Sequence, residues 1–241
     1  MSAGVSAGLD ALVIIPTYNE RENIDALVEQ VLAASPRVHV VVVDDQSPDG
    51  TGAAVDAIAK RDARVHHRPM GGRVGYGRAV LAGYQFALDR GYRRVVTMDA
   101  DFSHDPRYLP DVLAALDGGA QLVVGSRYTN GISVVNWPLR RLILSVFANH
   151  YVRAITGLPL SDCTSGYRGI AREVLEAIGF ADIRSNGYSF ISEVNYRAHR
   201  RGFKLAEVPI IFVERRKGGS KMSFKVMAEA AFMPWRLRLF G

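Results

Sequence analysis

Short apolar runs at residues 11–15, 38–43, 65–67, 94–98 and 121–124 alternate with segments that carry helical periodicity. Two of the runs, VVVV (40–43) and RVVTM (94–98), show no alternation between apolar and polar positions. A strand with one wet face alternates, whereas a strand covered on both faces stays apolar throughout. The pattern therefore implies an α/β fold, with a mainly parallel central sheet and helices on both faces.

In open sheets of that kind ligands bind in the crevice outside the carboxyl ends of the strands. Polar clusters follow the runs at PTYNE (16–20), DDQSPDGT (44–51), DADFSH (99–104) and GSRYTNG (125–131). They are expected to converge on a single site. With 241 residues, 48% of them hydrophobic and 22% charged, the chain has the composition of an ordinary globular domain, which excludes disorder and low-complexity arrays. The single cysteine, Cys163, excludes an internal disulfide framework and a thiolate zinc cluster, so a reducing cytoplasm is the simplest setting. No apolar stretch approaches the roughly 20 residues of a spanning helix, and residues 1–8 lack the basic and apolar regions of a signal peptide.

The net charge of +6 is unevenly placed: residues 197–241 hold 11 Lys or Arg against 3 acids, leaving residues 1–196 at 19 against 21. A basic C-terminal end suits an anionic partner, whether nucleic acid, a phosphorylated substrate or an acidic membrane surface. Beyond residue 135 the pattern becomes helical over 138–156, where Leu139, Leu142, Ile143, Val146, Phe147 and Ala154 recur at helical spacing. Asn136 is expected to cap this helix with Pro138 in its first turn, placing Arg141 and Ser145 one turn apart near an anion-attracting N-terminus. A helix near 190–201, a strand over 204–213, a basic loop over 214–221 and an apolar helix over 222–233 ended by Pro234 complete the reading. At about 1.5 Å per residue that last helix is too short to span a bilayer. With Trp235, Leu237, Leu239 and Phe240 interleaved with Arg236 and Arg238, it suits an interfacial position.

Asp99 and Asp101 follow a buried strand directly and can share a hard cation, Mg²⁺ or Mn²⁺, on a nucleoside diphosphate. The alternative role for such acids is to cap the following helix near Pro106. DDQSPDGT imitates half a calcium loop, but a strand precedes it, Pro48 stiffens it and Asp56 replaces the closing Glu. Ribose or base contacts, with Asp49 in a turn or capping role, fit it better. The run GGRVGYG (71–77) opens a helix and offers backbone N–H groups to phosphate, yet it is not the dinucleotide fingerprint. TSGYRG does not match a nucleophile elbow.

IPTYNE, VVVDDQSPDGT, MDADFSH, VGSRY, NWPLRR, DCTSGYR and RRKGGSK together resemble glycosyltransferase family 2, in particular its dolichyl or polyprenyl phosphate mannose synthase branch, over roughly residues 10–225. The resemblance implies a GT-A type nucleotide-binding fold, with a flexible tail at 1–9, a catalytic domain at 10–221 and an interfacial helix and tail at 222–241. It implies an inverting transfer of mannose from GDP-mannose to a polyprenyl (dolichyl-type) monophosphate, peripherally bound at the cytoplasmic face of a membrane and without nucleic acid. Carried over by position, Pro16, Tyr18, Glu20, Val43 and Asp45 hold the nucleoside, and Asp99 and Asp101 the metal. Arg127, Arg141 and Ser145 hold the acceptor phosphate, with Arg127 and Arg141 also acting in catalysis. Arg215 and Lys221 close over the donor phosphates. Some members carry Gln as a further metal ligand where this chain has Ser103, the one departure in that set. The same chemistry with another donor, such as UDP-glucose, is the near alternative. A non-catalytic anion or nucleic-acid binding protein is the distant one, and it leaves Asp99 and Asp101 without a role.

Overall fold

A computed structural model describes residues 9–183, 185, 187–214 and 224–240. Its strands are β1 (Ala11–Thr17), β2 (Val38–Asp44), β3 (Val65–Pro69), β4 (Arg94–Thr97), β5 (Leu122–Ser126), β6 (Val134–Val135), β7 (Arg168–Ala171), β8 (Leu205–Pro209) and β9 (Phe212–Val213). Its helices are α1 (Arg21–Ala34), α2 (Thr51–Ala59), α3 (Tyr76–Asp89), α4 (Leu109–Asp117), α5 (Leu139–Thr156), α6 (Arg172–Ala177), α7 (Gly187–Arg200) and α8 (Phe224–Phe240). Seven strands form one sheet in the order β3-β2-β1-β4-β7-β5-β8, and β6 pairs with β9 in a small second sheet. Every pairing in the large sheet is parallel except those of β7, which runs antiparallel between β4 and β5.

Burial accounts for the interior place of β1 and β2. Leu12, Ile14, Val41 and Val43 pack with α3, α6 and α7 on one face, whereas Val13, Ile15, Val40 and Val42 pack with α1, α2 and α4 on the other. Each fully buried Val or Ile contributes about 1.5–3 kcal/mol, so only a position covered on both sides uses a run such as VVVV. Close packing also requires small residues. A Cβ at Gly83 on α3 would lie 2.5 Å from Ile14 Cγ2, so glycine is what lets α3 approach β1.

Several expectations need correction. The strand over 204–213 breaks at Ile210–Ile211 into β8 and β9, and β9 leaves the large sheet to pair with β6. Asn136 does not cap α5. It sits at φ 63°, the helix begins one residue after Pro138, and no side chain caps it. Nor does Pro234 end the terminal helix, since α8 continues through it to Phe240. Tyr151 on α5 donates to the Ala231 carbonyl at 2.7 Å, satisfying a group beside the break that proline makes in the helical ladder. Finally, the apolar residues that mark α5 in the sequence are not the ones it buries. Asn149, Val152 and Thr156 are buried, whereas Leu139, Ile143 and Phe147 are exposed. Among the described residues no helix is long and apolar enough to cross a membrane.

Candidate active site

The polar clusters do meet at the carboxyl ends of β1, β2, β4 and β5. Pro16 and Val43 are register partners on β1 and β2, and Tyr18 and Glu20 occupy the turn that follows β1. The Glu20 amide donates to Thr51 Oγ1 at 3.1 Å, while its carboxylate accepts from Asn23 at 2.8 Å. Asp49 serves the turn, accepting from the Thr51 amide and hydroxyl and from the Arg21 amide. Asp45, expected to contact ribose or base, also has a structural role just after β2. Its two carboxylate oxygens accept the Val74 and Gly75 amides at 2.6 and 2.9 Å, which pins the Gly-rich strap 71–75 over the crevice. Arg73 on that strap lies 4.2 Å from the Tyr18 ring.

Asp99 and Asp101 sit in a tight turn after β4 in which Phe102 adopts φ 60°. His104, buried beneath them, accepts the Asp99 amide on Nδ1 at 2.9 Å, which places its proton on Nε2. Asp101 accepts the Ser103 amide at 3.1 Å. The helix-capping alternative for this pair is answered by Asp105, which accepts the Arg107 amide and caps the turn Pro106–Tyr108 itself. The Ser103 hydroxyl is buried with no hydrogen-bond partner, and a buried orphan of this kind calls for a ligand or water. Two carboxylates with an adjacent orphaned hydroxyl fit a hard cation completed by phosphate oxygens and waters. Among the described residues no group of three or more His, Cys, Asp or Glu gathers to hold a metal by protein ligands alone.

Gly166 forms the wall facing this turn. A Cβ built there would lie 2.9 Å from Tyr76 Oη, 3.2 Å from His104 Cε1 and 3.5 Å from Asp99 Oδ1. Composition and motif spacing single out neither Tyr76 nor His104, although both lie inside stretches flagged for other reasons.

Arg127, after β5, is buried rather than solvated. Its Nε and Nη2 donate to Asp162 at 2.6 and 2.7 Å, and Nη2 also reaches Thr164 at 2.8 Å. Burial alone would push the Asp162 carboxyl up, but the Arg127 charge, with hydrogen bonds from Arg127 and Thr164, outweighs it and holds the group below the usual carboxylate range. The neighbouring Cys163 thiol is pushed up to about 12, by burial first and by Asp162 and Glu207 next, so it carries no thiolate chemistry. Ser145 on α5 accepts the Tyr128 hydroxyl at 2.8 Å. Arg141 pairs with Glu214 and stacks on Trp137 at 4.1 Å, and the Arg127 guanidinium lies 5.5 Å from the same indole. Phe212 on β9 makes edge contacts with both Trp137 and His104, at 5.4 and 5.6 Å between ring centroids, so it joins the arginine cluster to the carboxylate turn. Arg215 and Lys221 lie outside the described residues.

Motif spacing indicated Asp99 and Asp101, and the family resemblance Arg127 and Arg141, but sequence reasoning was incomplete. It missed Asp162, Thr164, Trp137, Phe212 and Glu214, which arrive from segments 10 to 87 residues away in the chain, counting from Arg127 (127 to 137 and 127 to 214). DCTSG and NWPLRR were flagged as motifs, so a signal existed, but nothing local showed what they touch.

The chain is 50% identical over 230 residues to the polyprenol monophosphomannose synthase of Mycolicibacterium smegmatis, covering 94% of this chain and 87% of that protein. It is 44% identical over 219 residues to the undecaprenyl-phosphate mannosyltransferase of Micrococcus luteus, covering 91% and 90%. The glucosyl-3-phosphoglycerate synthase of Mycobacterium tuberculosis, solved with Mn²⁺, UDP-glucose and phosphoglyceric acid, superimposes with a TM-score of 0.68 at 20% identity, over 95% of this chain and 80% of that one. That likeness establishes the GT-A type of fold. Residues 12–179 match the model of Glycosyl transferase family 2, and with more than half the chain matched and two curated relatives above 40% identity, the protein belongs to that family.

Proposed function

We propose that the protein transfers mannose from GDP-mannose to a polyprenyl monophosphate, with inversion at the anomeric carbon. The observation that carries this is the junction at Phe212, where a pair of carboxylates suited to a diphosphate-bound cation adjoins two arginines suited to a second phosphate. The relatives are named for polyprenol and undecaprenyl phosphate, which supports an acceptor of that class.

On this reading Pro16, Tyr18, Glu20, Val43 and Asp45 line the nucleoside pocket, and Asp45 also holds the strap beside it. Asp99 and Asp101, with Ser103 beside them, would hold Mg²⁺ or Mn²⁺, which when bound neutralises the departing diphosphate. The solved structural neighbour with Mn²⁺ supports a divalent ion. Arg127 orients one face of the acceptor phosphate, and Asp162 fixes the guanidinium plane so that little ordering is left to be done at binding. A phosphate monoester has its second pKa near about 6, so the acceptor oxygen is already a nucleophile at neutral pH and the chain supplies position and charge rather than a general base. Arg215 and Lys221 are assigned to the donor phosphates on the family pattern alone.

The lipid tail of such an acceptor stays in a bilayer, so the protein works at a membrane surface, on its cytoplasmic face. Leu139, Ile143 and Phe147 on α5 and Phe232, Trp235 and Leu239 on α8 are all more than half exposed. Trp235 Nε1 donates to the Tyr151 hydroxyl at 3.0 Å and Tyr151 stacks on Phe147, which makes the two sets continuous. An exposed apolar patch of this kind marks an interaction site, and residues 222–241 supply half of it.

The test is transfer from radiolabelled GDP-mannose, or UDP-glucose in parallel, to a short polyprenyl phosphate in detergent with Mg²⁺ or Mn²⁺. Lipid-linked label from GDP-mannose alone is expected. Label from UDP-glucose alone would overturn the donor assignment, and no lipid product from either would overturn the whole reading.

A further inference from the structure

We propose that Glu214 is a built-in competitor at the acceptor site, whose carboxylate occupies Arg141 until a phosphate dianion displaces it. The proposal rests on the assignment of Arg141 to the acceptor phosphate. Glu214 follows β9, and its amide donates to the Val135 carbonyl at 3.2 Å, so the small β6–β9 sheet sets where it stands. Its carboxylate pairs with Arg141 Nη1 while the Arg141 guanidinium is stacked at 4.1 Å on Trp137. The two side chains of the pair are 33% and 23% exposed, so water reaches it, and a pair of that kind is weak enough to exchange.

The contrast with Arg127 gives the inference its content. Arg127 is tied by two guanidinium bonds to a carboxylate with no exposed surface, and that pair is part of the fold. The Arg141–Glu214 pair lies at the rim, against the same indole that Arg127 faces. An incoming monoanion would replace one negative charge on Arg141 with another and gain little. A phosphate monoester brings close to two charges and three acceptor oxygens, enough to engage Arg141 in place of Glu214 and Arg127 at the same time. Glu214 thereby raises the threshold for every anion that takes Arg141, one that a phosphate clears and a monoanion of lower intrinsic affinity does not.

The experiment uses the full chain, with Glu214→Gln, Glu214→Ala and Arg141→Ala beside the wild type. Inhibition constants are measured at pH 8 for a short isoprenyl phosphate and for the matching isoprenyl sulfate, a permanent monoanion, together with the KM for the nucleotide sugar. In Glu214→Gln and Glu214→Ala both anions should tighten by about tenfold, the phosphate at least as much as the sulfate, while donor KM holds. Unchanged inhibition constants for both anions in both Glu214 variants would overturn the proposal. So would weakened binding of both anions to the level of Arg141→Ala, since Glu214 would then be a prop for Arg141. If Arg141→Ala leaves phosphate binding as in wild type, the parent assignment of Arg141 fails instead.

Discussion

Replacing Gly166 by alanine should separate catalysis from folding. Gly166 is not among the glycines with positive φ, so alanine meets no backbone strain there and the effect is steric. Ordinary contact begins near 3.4 Å, so a Cβ at 2.9 Å from Tyr76 Oη requires the phenol to retreat by 0.5 Å, the difference between the two, and His104 Cε1 at 3.2 Å by 0.2 Å. The phenol is the far end of a side chain and gives way. The His104 ring is stacked on Tyr167 at 5.3 Å and holds the Asp99 amide, so its shift passes to the turn that carries Asp99 and Asp101. Thr97 Oγ1 donates to the Gly166 carbonyl at 2.8 Å, which prevents the backbone from backing away. Overpacking by one methyl costs about 1–3 kcal/mol, and a domain of this size then loses roughly 2–4 °C of Tm per kcal/mol. Misplacement of a reacting group by about 1 Å costs about 100-fold in rate, so the shift of 0.2 Å passed on through His104 should lower kcat/KM about two- to threefold. Transfer to a short polyprenyl phosphate, normalised to folded protein by thermal melting, measures both. Gly169→Ala is the control: its Cβ would meet Val112 Cγ1 at 2.6 Å in the core under α4, away from the site. It should melt earlier than Gly166→Ala and, below its melting point, turn over better. A folded Gly166→Ala protein with wild-type kcat/KM would refute the placement of the reacting diphosphate beside Asp99.

Other outcomes follow from the same geometry. Asp99→Ala and Asp101→Ala should reduce turnover by about 100-fold or more with little change in Tm, because the leaving diphosphate loses its counterion; wild-type activity that survives EDTA would sink the metal role. His39 and His66 share the Tyr92 hydroxyl, at 2.9 and 3.4 Å, and burial holds both below the ordinary histidine pKa, helped by Arg64 at His39 and by Arg90 and His39 at His66. The unfolded chain therefore takes up these protons first, so stability should fall as pH drops through about 6.5 and level off below the folded pKa values. His66→Gln should lose less Tm between pH 7.5 and 5 than the wild type, and an equal loss would contradict the assignment. Phe147→Ser with Trp235→Ser should reduce flotation with anionic vesicles several-fold while leaving the melt intact; undiminished flotation would remove the α5–α8 face as the contact.

Periodicity and local chemistry specified the core of this fold because its central strands are self-announcing: VVVV and RVVTM have only one environment that repays their burial, a sheet covered on both faces. Placing DDQSPDGT and DADFSH at one end of that sheet needed no coordinates, since parallel strands put all their following loops on the same side. The strand β7 was invisible for the opposite reason. RGIA holds an arginine and a glycine, and it is a strand only because β4 and β5 leave a gap between them that its backbone fills.

The details of the candidate site belong to the tertiary structure. A sequence motif names Arg127 and Arg141 alike, but long-range contacts make the first a fixed member of a buried pair with Asp162 and the second an exchangeable partner of Glu214. The same holds for Asp45, whose carboxylate receives two amides from 29 and 30 residues away and so anchors a strap that no local signal reveals. It holds also for α5, whose apolar stripe looks like a core face in the sequence and instead lies open beside α8. Amphipathic spacing says that a helix has an apolar side. Which surface covers that side is decided by every other element in the chain, and that information is not local.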